Sequence, residues 1–322
     1  MIVRRLVTIP IVLIGVTLVT FALVHALPGD AALVQAGTSR GASPESLAAM
    51  RKAYDLDRPL PAQYAAWLAR SARLDFGDSL VDGRAVRDKI AEALPTSLAL
   101  ALLAVALAFG VAVPLGAALG WIDGRGQAPR HSLGAGTSPR FARLADRRSW
   151  ARVSSAALYG IYALPVAAVA LLVLRAGAPW GARTVVGMLP AAAVLALAET
   201  VKLARYQRGA LLDALAADYV TTARAKGLGP AGVVAHALRN ALLPTITLVG
   251  SELPALLSAA VVVEEVFGLH GIGRMAFDAV LTRDVPLLLG ITTVGALVTL
   301  GAVLAADLAY GLADPRLRGR AS

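Results

Sequence analysis

Asp218-Tyr219-Val220-Thr221-Thr222-Ala223-Arg224-Ala225-Lys226-Gly227-Leu228-Gly229-Pro230, continuing through Ala231 to Asn240 and into Ala241-Leu242-Leu243-Pro244, is a polar island between two long apolar stretches. Residues 218–226 predict two turns of helix, with Arg224 and Lys226 in the last turn, where cations complement the negative end of the dipole. Gly227 stands where a left-handed C-cap is wanted, and Leu228 is the apolar residue that often closes such a cap. Pro230 suits the first turn of a following helix, since its φ is already fixed and its missing N–H would have no partner there. The stretch therefore reads as helix, tight turn, helix: a short rigid knob outside a membrane, shaped to dock.

Composition supplies the membrane. Hydrophobic residues make up 57% of the 322 and charged residues 16%, and the mean hydropathy is +0.67; soluble chains carry fewer of the first and more of the second. Six apolar runs of spanning length can be drawn, at 6–27, 97–122, 153–174, 184–201, 241–263 and 285–310. A signal peptide is the rival reading of the first run, but the run is too long and Ala26-Leu27-Pro28 is a poor cleavage site. Pro114 and Pro165 fall inside spans, which neighbouring helices make tolerable by re-satisfying the freed backbone groups. With no cysteine, neither a disulfide framework nor a thiol nucleophile is available, and no metal site is expected.

Charge placement gives an orientation. Segments 1–5, 123–152, 202–240 and 311–322 hold eighteen Lys and Arg against five Asp. Segment 28–96 holds nine of each sign, and 264–284 holds two cations to four acids. The positive-inside rule then predicts both termini and the 218–240 knob on the cytoplasmic side. The net charge of +10 follows this sidedness, so nucleic acid is not an expected partner. The Gly- and Arg-rich loop 123–152 reads as a topology determinant and a contact for lipid headgroups.

The outer segment 28–96 is too long for a hairpin. Ser43-Pro44-Glu45-Ser46 predicts a helix start running to Tyr54, and a second amphipathic helix covers 63–74 with Tyr64, Trp67 and Leu68 on one face. Tyr64 and Trp67 serve either as core or as interfacial anchors. Intramembrane ionisable residues are the default place to look for function. Glu199 and Lys202 are three residues apart on one face, and a pair between them is the expected arrangement. Glu252 lies mid-span, facing either a substrate pathway or a hydrogen-bonding neighbour. His25, His131, His236 and His270 are scattered over both sides and form no single site. No Gly-x-x-x-x-Gly-Lys-Ser/Thr loop and no His-Glu-x-x-His motif is present, so neither ATP binding by a Walker loop nor zinc hydrolysis is expected of this chain.

Several stretches also carry a family likeness. Tyr219-Val220-x-Thr222-Ala223-Arg224-Ala225-Lys226-Gly227-Leu228 followed by His236-Ala237-Leu238-Arg239-Asn240-Ala241-Leu242-Leu243-Pro244 resembles the cytoplasmic loop of ABC-importer permeases of the dipeptide/oligopeptide/nickel family. Leu27-Pro28-Gly29-Asp30, Leu56-Asp57-x-Pro59-Leu60 and Asp75-Phe76-Gly77-x-Ser79 fit the same family, as do Glu264-Glu265-Val266-Phe267-Gly268, Gly271-x-Gly273-Arg274 and Arg283-Asp284-x-Pro286. Leu269-His270 departs from it, where the family usually shows Trp-Pro. The resemblance implies an all-α polytopic membrane protein of the type I importer permease fold, with six transmembrane helices and both termini cytoplasmic. The parts would be an N-terminal helix at 1–27, an extracytoplasmic segment at 28–96 and a five-helix permease core at 97–322. It implies a non-enzymatic subunit in the bacterial cytoplasmic membrane that moves peptides or nickel by alternating access. Its partners would be a homologous second permease, two ABC ATPases that hold the ATP and Mg, and an extracytoplasmic binding protein. Tyr219, Thr222, Ala223, Arg224, Ala225, Lys226, Gly227 and Leu228 would couple to the ATPase. Glu252, Glu264, Glu265, Phe267, Gly271 and Gly273 are the candidates for pathway and gate. The rival class is a secondary transporter driven by an ion gradient, which predicts repeats between halves; none is visible.

Overall fold

In the computed structural model, residues 2–26, 58–124, 153, 156–177 and 185–313 are described. The expected helix at 43–54, the loop 123–152 beyond Gly124 and the chain end after Ala313 lie outside the described residues. The described part is helical: α1 Ile2–Ala26, α2 Leu60–Ser71, α3 Val86–Gly124, α4 Ala156–Tyr162, α5 Val166–Arg175, α6 Val185–Ala216, α7 Asp218–Ala225, α8 Pro230–Val266, α9 Ile272–Thr282 and α10 Val285–Ala313. Among the described residues four helices are long and apolar enough to cross a membrane, in α1, α3, α6 and α10, or five spans if α4 and α5 together make one.

Three expected boundaries move, each for a local reason. The run 153–174 is not one rod: α4 and α5 meet at an angle of 81°. Pro165 is the N-cap of α5, because a proline cannot donate the backbone bond that would continue α4 through it. The second helix of the knob and the run 241–263 are one continuous helix, α8. No glycine cluster or charge break separates them, and Pro244 sits within the helix. On α6, the helix likewise runs past the apolar stretch to Ala216, carrying Lys202, Arg205 and Arg208 on helical backbone.

The chain divides into two compact units, residues 1–99 with 260–302 and residues 100–259 with 303–322. The first is built on an aromatic and aliphatic core of Phe21, Trp67, Phe76, Val86, Ile90, Leu287, Leu288 and Leu289. Trp67 is 5% exposed, and Tyr64 stacks on it with ring centres 6.2 Å apart. The Tyr64 hydroxyl lies 2.9 Å from Thr17 Oγ1 and donates to the Ile14 carbonyl at 3.1 Å. Both aromatics are therefore core, tying α2 to α1. Phe76 and Ser79 of the Asp75-Phe76-Gly77-x-Ser79 motif are buried as well, and Gly77 supplies the positive φ of +82° that turns the chain between them.

The second unit rests on a helix contact that only small residues permit. Ala104, Ala108 and Ala112 on α3 are fully buried, and Gly116, Gly120 and Gly124 continue the same four-residue spacing. A Cβ at Gly116 would strike the Ala204 carbonyl and come within 2.8 Å of Gln207 Cβ, and one at Gly120 would lie 3.0 Å from the Arg208 carbonyl. Close backbone approach through such a stripe is how helices pack where lipid leaves no hydrophobic drive between them.

Candidate functional site

The knob forms as the local chemistry dictates. Ala217 is extended, with φ −76° and ψ 151°, and separates α6 from α7. At the far end Lys226 N–H donates to the Thr222 carbonyl at 3.0 Å, Gly227 N–H to Arg224 at 3.0 Å and Leu228 N–H to Ala223 at 3.2 Å. Gly227 has φ +84°, and the last two bonds are the pattern of a Schellman cap, which satisfies the terminal carbonyls through one left-handed residue. The Leu228 side chain lies over Gly232, its Cδ2 3.5 Å from where a Cβ would stand. The turn is thus closed by its own residues.

Its inner face is apolar. Val220 joins Leu211, Val233, Ala237 and Ala241 in a buried cluster, with Tyr219 packed beside them and its ring 5.4 Å from His236. Every residue from Arg224 to Gly232 is exposed. Of the predicted coupling residues, Ala223 is buried and Tyr219 half-buried, so these two seat the knob on its base. Thr222, Arg224, Ala225, Lys226, Gly227 and Leu228 form the outer surface.

Below the knob, the second unit holds a charged cluster at the polar end of α6. Lys202 donates to Glu252 on α8, not to Glu199, so the expected three-residue pair is replaced by a bond between helices. The flexible lysine head reaches across to Glu252, whose side chain is only 14% exposed and gains a partner there. Glu199 keeps one buried carboxylate oxygen without a partner among the described residues. Arg208 bonds Asp123 of α3 at 2.6 Å, and Thr245 Oγ1 donates to Gln207 Oε1 at 2.5 Å with both residues fully buried.

The acidic motif in the first unit proves to be a joint. Glu264 is fully buried. One carboxylate oxygen accepts from Ser97 Oγ at 2.6 Å and the other from Arg274 N–H at 3.0 Å; Ser97 in turn accepts from Ile272 N–H at 2.8 Å. Glu264 and Ser97 together therefore cap the N-terminus of α9, which has no side-chain cap of its own. A Cβ at Gly271 would collide with the Glu264 carboxylate, and one at Gly273 would lie 2.7 Å from Val261 Cα. Those two glycines are spaces for packing. Phe267 is 1% exposed, while Glu265 reaches solvent beside Arg274, 3.5 Å away.

Asp284 makes a second joint that sequence reading missed. It is fully buried, takes the Ser79 hydroxyl and the Leu80 N–H at 3.2 Å, and caps α10 through the Leu287 N–H at 3.3 Å. Lys89 extends the network, bonding Ser79 at 3.1 Å and Asp82 at 2.9 Å. Burial works to raise the Asp82 carboxyl, but Lys89 and the Arg84 N–H overcome it and hold the group below the usual aspartate range. Asp ahead of Val-Pro was the available signal for the α10 cap; its bond to Ser79, 205 positions away in sequence, had none.

A chain of apolar helices with an exposed, self-closed turn fits the architecture of a helical membrane permease. Comparison agrees: residues 139–319 match the family described as binding-protein-dependent transport system inner membrane component, and residues 1–101 match its N-terminal companion. The chain is 32% identical over 324 residues to the oligopeptide transport system permease protein AppB of Bacillus subtilis, covering 98% of this chain and 97% of that one. It is 36% identical over 324 residues to the di/tripeptide transport system permease protein DppB of Pseudomonas aeruginosa, with 94% of each covered. A putative peptide transport system permease protein of Brucella abortus is 34% identical over 328 residues, with 96% of each covered. The chain belongs to this family of binding-protein-dependent ABC permeases, on the dipeptide/oligopeptide branch.

Proposed function

We propose that this chain is one translocation subunit of an ATP-driven importer of peptides in the bacterial cytoplasmic membrane. Peptides are preferred over nickel because the relatives above carry peptide transport in their names. The subunit works by alternating access, beside a homologous second permease and between an extracytoplasmic binding protein and two ATPases. Its six spans are α1, α3, the bent pair α4 and α5, α6, α8 and α10, with both termini cytoplasmic. ATP and Mg are held by the ATPases, which supply the energy of each cycle.

The observation that carries the reading is the knob. Residues 224–232 are exposed without a break, on a turn whose backbone groups are already satisfied internally. A surface that is rigid, cationic and clear of its own chain transmits motion without first having to order itself, so little entropy is lost on docking. Arg224 and Lys226 supply charge, and Gly227 lets a partner approach the backbone. Glu252, at membrane depth and bonded to Lys202, belongs to the pathway region; Glu264, Gly271, Gly273 and Phe267 hold the outer helix α9 in place and gate by moving with it, with Glu265 at their rim.

The chain has no cysteine, so a single reporter is clean. Ala225→Cys, paired with cysteines in the ATPase, is expected to cross-link to that subunit in the assembled transporter and not to the binding protein. Absence of any ATPase cross-link from positions 223–229 overturns the coupling assignment. Uptake by the permease pair alone under a proton gradient would replace the ATP-driven reading by a secondary transporter.

A further inference from the structure

The second unit contains a cleft of about 670 Å³ whose walls are chemically unlike the rest of the span. Tyr159, Tyr162 and Tyr206 line it together with Lys202, Arg205 and Arg208. Three tyrosines and three cations thus meet on one cavity in a chain only 5% aromatic and 16% charged. The cations are not equivalent. Lys202 is occupied by Glu252 and Arg208 by Asp123. Arg205 has no carboxylate partner among the described residues. Its guanidinium lies over the Tyr159 ring, 3.9 Å from the centroid, and bonds the Tyr159 hydroxyl. Among the described residues the Arg205 guanidinium is therefore a cation without a carboxylate bond, braced on an aromatic face at the surface of the cleft.

Depth identifies what meets it. The apolar stretch of α6 ends as Lys202 begins, and Arg205 and Arg208 follow one turn and two turns further. The cleft lies where a spanning helix passes from hydrocarbon to water. Tyr159, Tyr162 and Tyr206 are 51%, 51% and 44% exposed, as amphipathic rings are at a bilayer boundary. At that level the abundant anion is the phosphate of a lipid headgroup, and basic pockets between helices are places where acidic headgroups bind. A planar guanidinium suits phosphate, since it is always charged and presents parallel donors. Leu212 and Leu248 complete the wall.

We propose that this cleft is a binding site for an anionic phospholipid, with Arg205 as the phosphate ligand and Tyr159 as the residue that positions it. The site rests on α6 being a membrane span and is independent of the coupling role of the knob. The test uses the purified, assembled transporter in nanodiscs of phosphatidylcholine containing a minor share of phosphatidylglycerol, with co-purifying lipid counted by native mass spectrometry. Phosphatidylglycerol should be retained about tenfold over its share of the bilayer, the ratio that one charge-assisted contact of about 1.4 kcal/mol gives. Arg205→Ala should bring retention down to the bulk ratio, Arg205→Lys should keep part of it, and Tyr159→Leu should weaken it with Arg205 still present. Arg84→Ala, a cation change in the other unit, should leave retention untouched. Size-exclusion and thermal unfolding confirm that each variant is folded.

Equal retention in wild type and Arg205→Ala overturns the proposal, as does loss of retention in Arg84→Ala as well. A further arm distinguishes lipid from free anion. Inorganic phosphate added to transporter in pure phosphatidylcholine should not shift the thermal midpoint through Arg205. If it does so as strongly as phosphatidylglycerol, the cleft is a soluble-anion site and the lipid assignment falls. Release of phosphatidylglycerol by added peptide substrate would assign the cleft to the transport pathway instead.

Discussion

At Gly227 a single residue separates fold from function. Its φ of +84° lies in the left-handed region, and among the described residues no atom beyond its chain neighbours stands within 4 Å of where a Cβ would be. The Cβ of a valine there meets no clash among the described residues. Its cost is backbone strain, on the order of 1–3 kcal/mol, confined to the turn, plus bulk on the outer surface. Gly227→Val is therefore expected to insert and assemble at near-normal level but to transport poorly, with ATP hydrolysis no longer stimulated by loaded binding protein. Quantifying membrane-inserted protein alongside uptake decides it; full uptake by the variant would remove the turn from the coupling path. This glycine was legible in sequence because caps are local. Gly271 and Gly273 were legible only as glycines. Their reason is a carboxylate on Glu264, brought to them by a turn whose own geometry a sequence does not display.

The helices show the same division between local and non-local causes. The apolar runs announced spans, but a run marks only the part of a helix that lipid would cover, so α3, α6 and α8 all extend beyond their runs. Pro165 was visible, yet its consequence depends on whether neighbours hold the helix straight; here α4 and α5 bend apart by 81°. The stripe from Ala104 to Gly124 was readable as small residues every fourth position, and its partner α6 was not. It makes a sharp contrast within one helix. Gly116→Ala puts a methyl group against the Ala204 carbonyl and within 2.8 Å of Gln207 Cβ. The helices must part, with overpacking of roughly 1–3 kcal/mol and strain on the Gln207–Thr245 bond. Gly110→Ala, on the same helix, meets nothing within 4 Å and gains about 0.5–1 kcal/mol of helix preference. Thermal unfolding of the detergent-solubilised transporter should fall for the first variant and hold or rise for the second. Equal midpoints would mean that α3 and α6 do not pack through the stripe.

At the scale of the whole molecule, orientation is the property with the most sequence behind it, because it depends on where cations lie along the chain and not on which residues they touch. Eighteen Lys and Arg against five Asp fall on four segments; of the segments between them, 28–96 is balanced, 264–284 is acidic, and the short 175–183 carries only Arg175 and Arg183. Inserting the chain the other way would carry that excess across the membrane, which the positive-inside bias opposes. Two exposed positions report the outcome: Asp278 on α9 and Leu228 in the knob turn. Since the chain has no cysteine, Asp278→Cys and Leu228→Cys each carry one thiol. A membrane-impermeant maleimide added to spheroplasts should label Asp278→Cys at once and Leu228→Cys only after permeabilisation. The pairing matters, because the knob can meet an ATPase only on the side where ATP is found. The reverse pattern would put the knob outside, and the charge count, the coupling surface and the six-span path would fall together. Labelling of both from outside would keep α9 external but require an odd number of crossings between Leu228 and Asp278 to be abandoned, and with it α8 as a span.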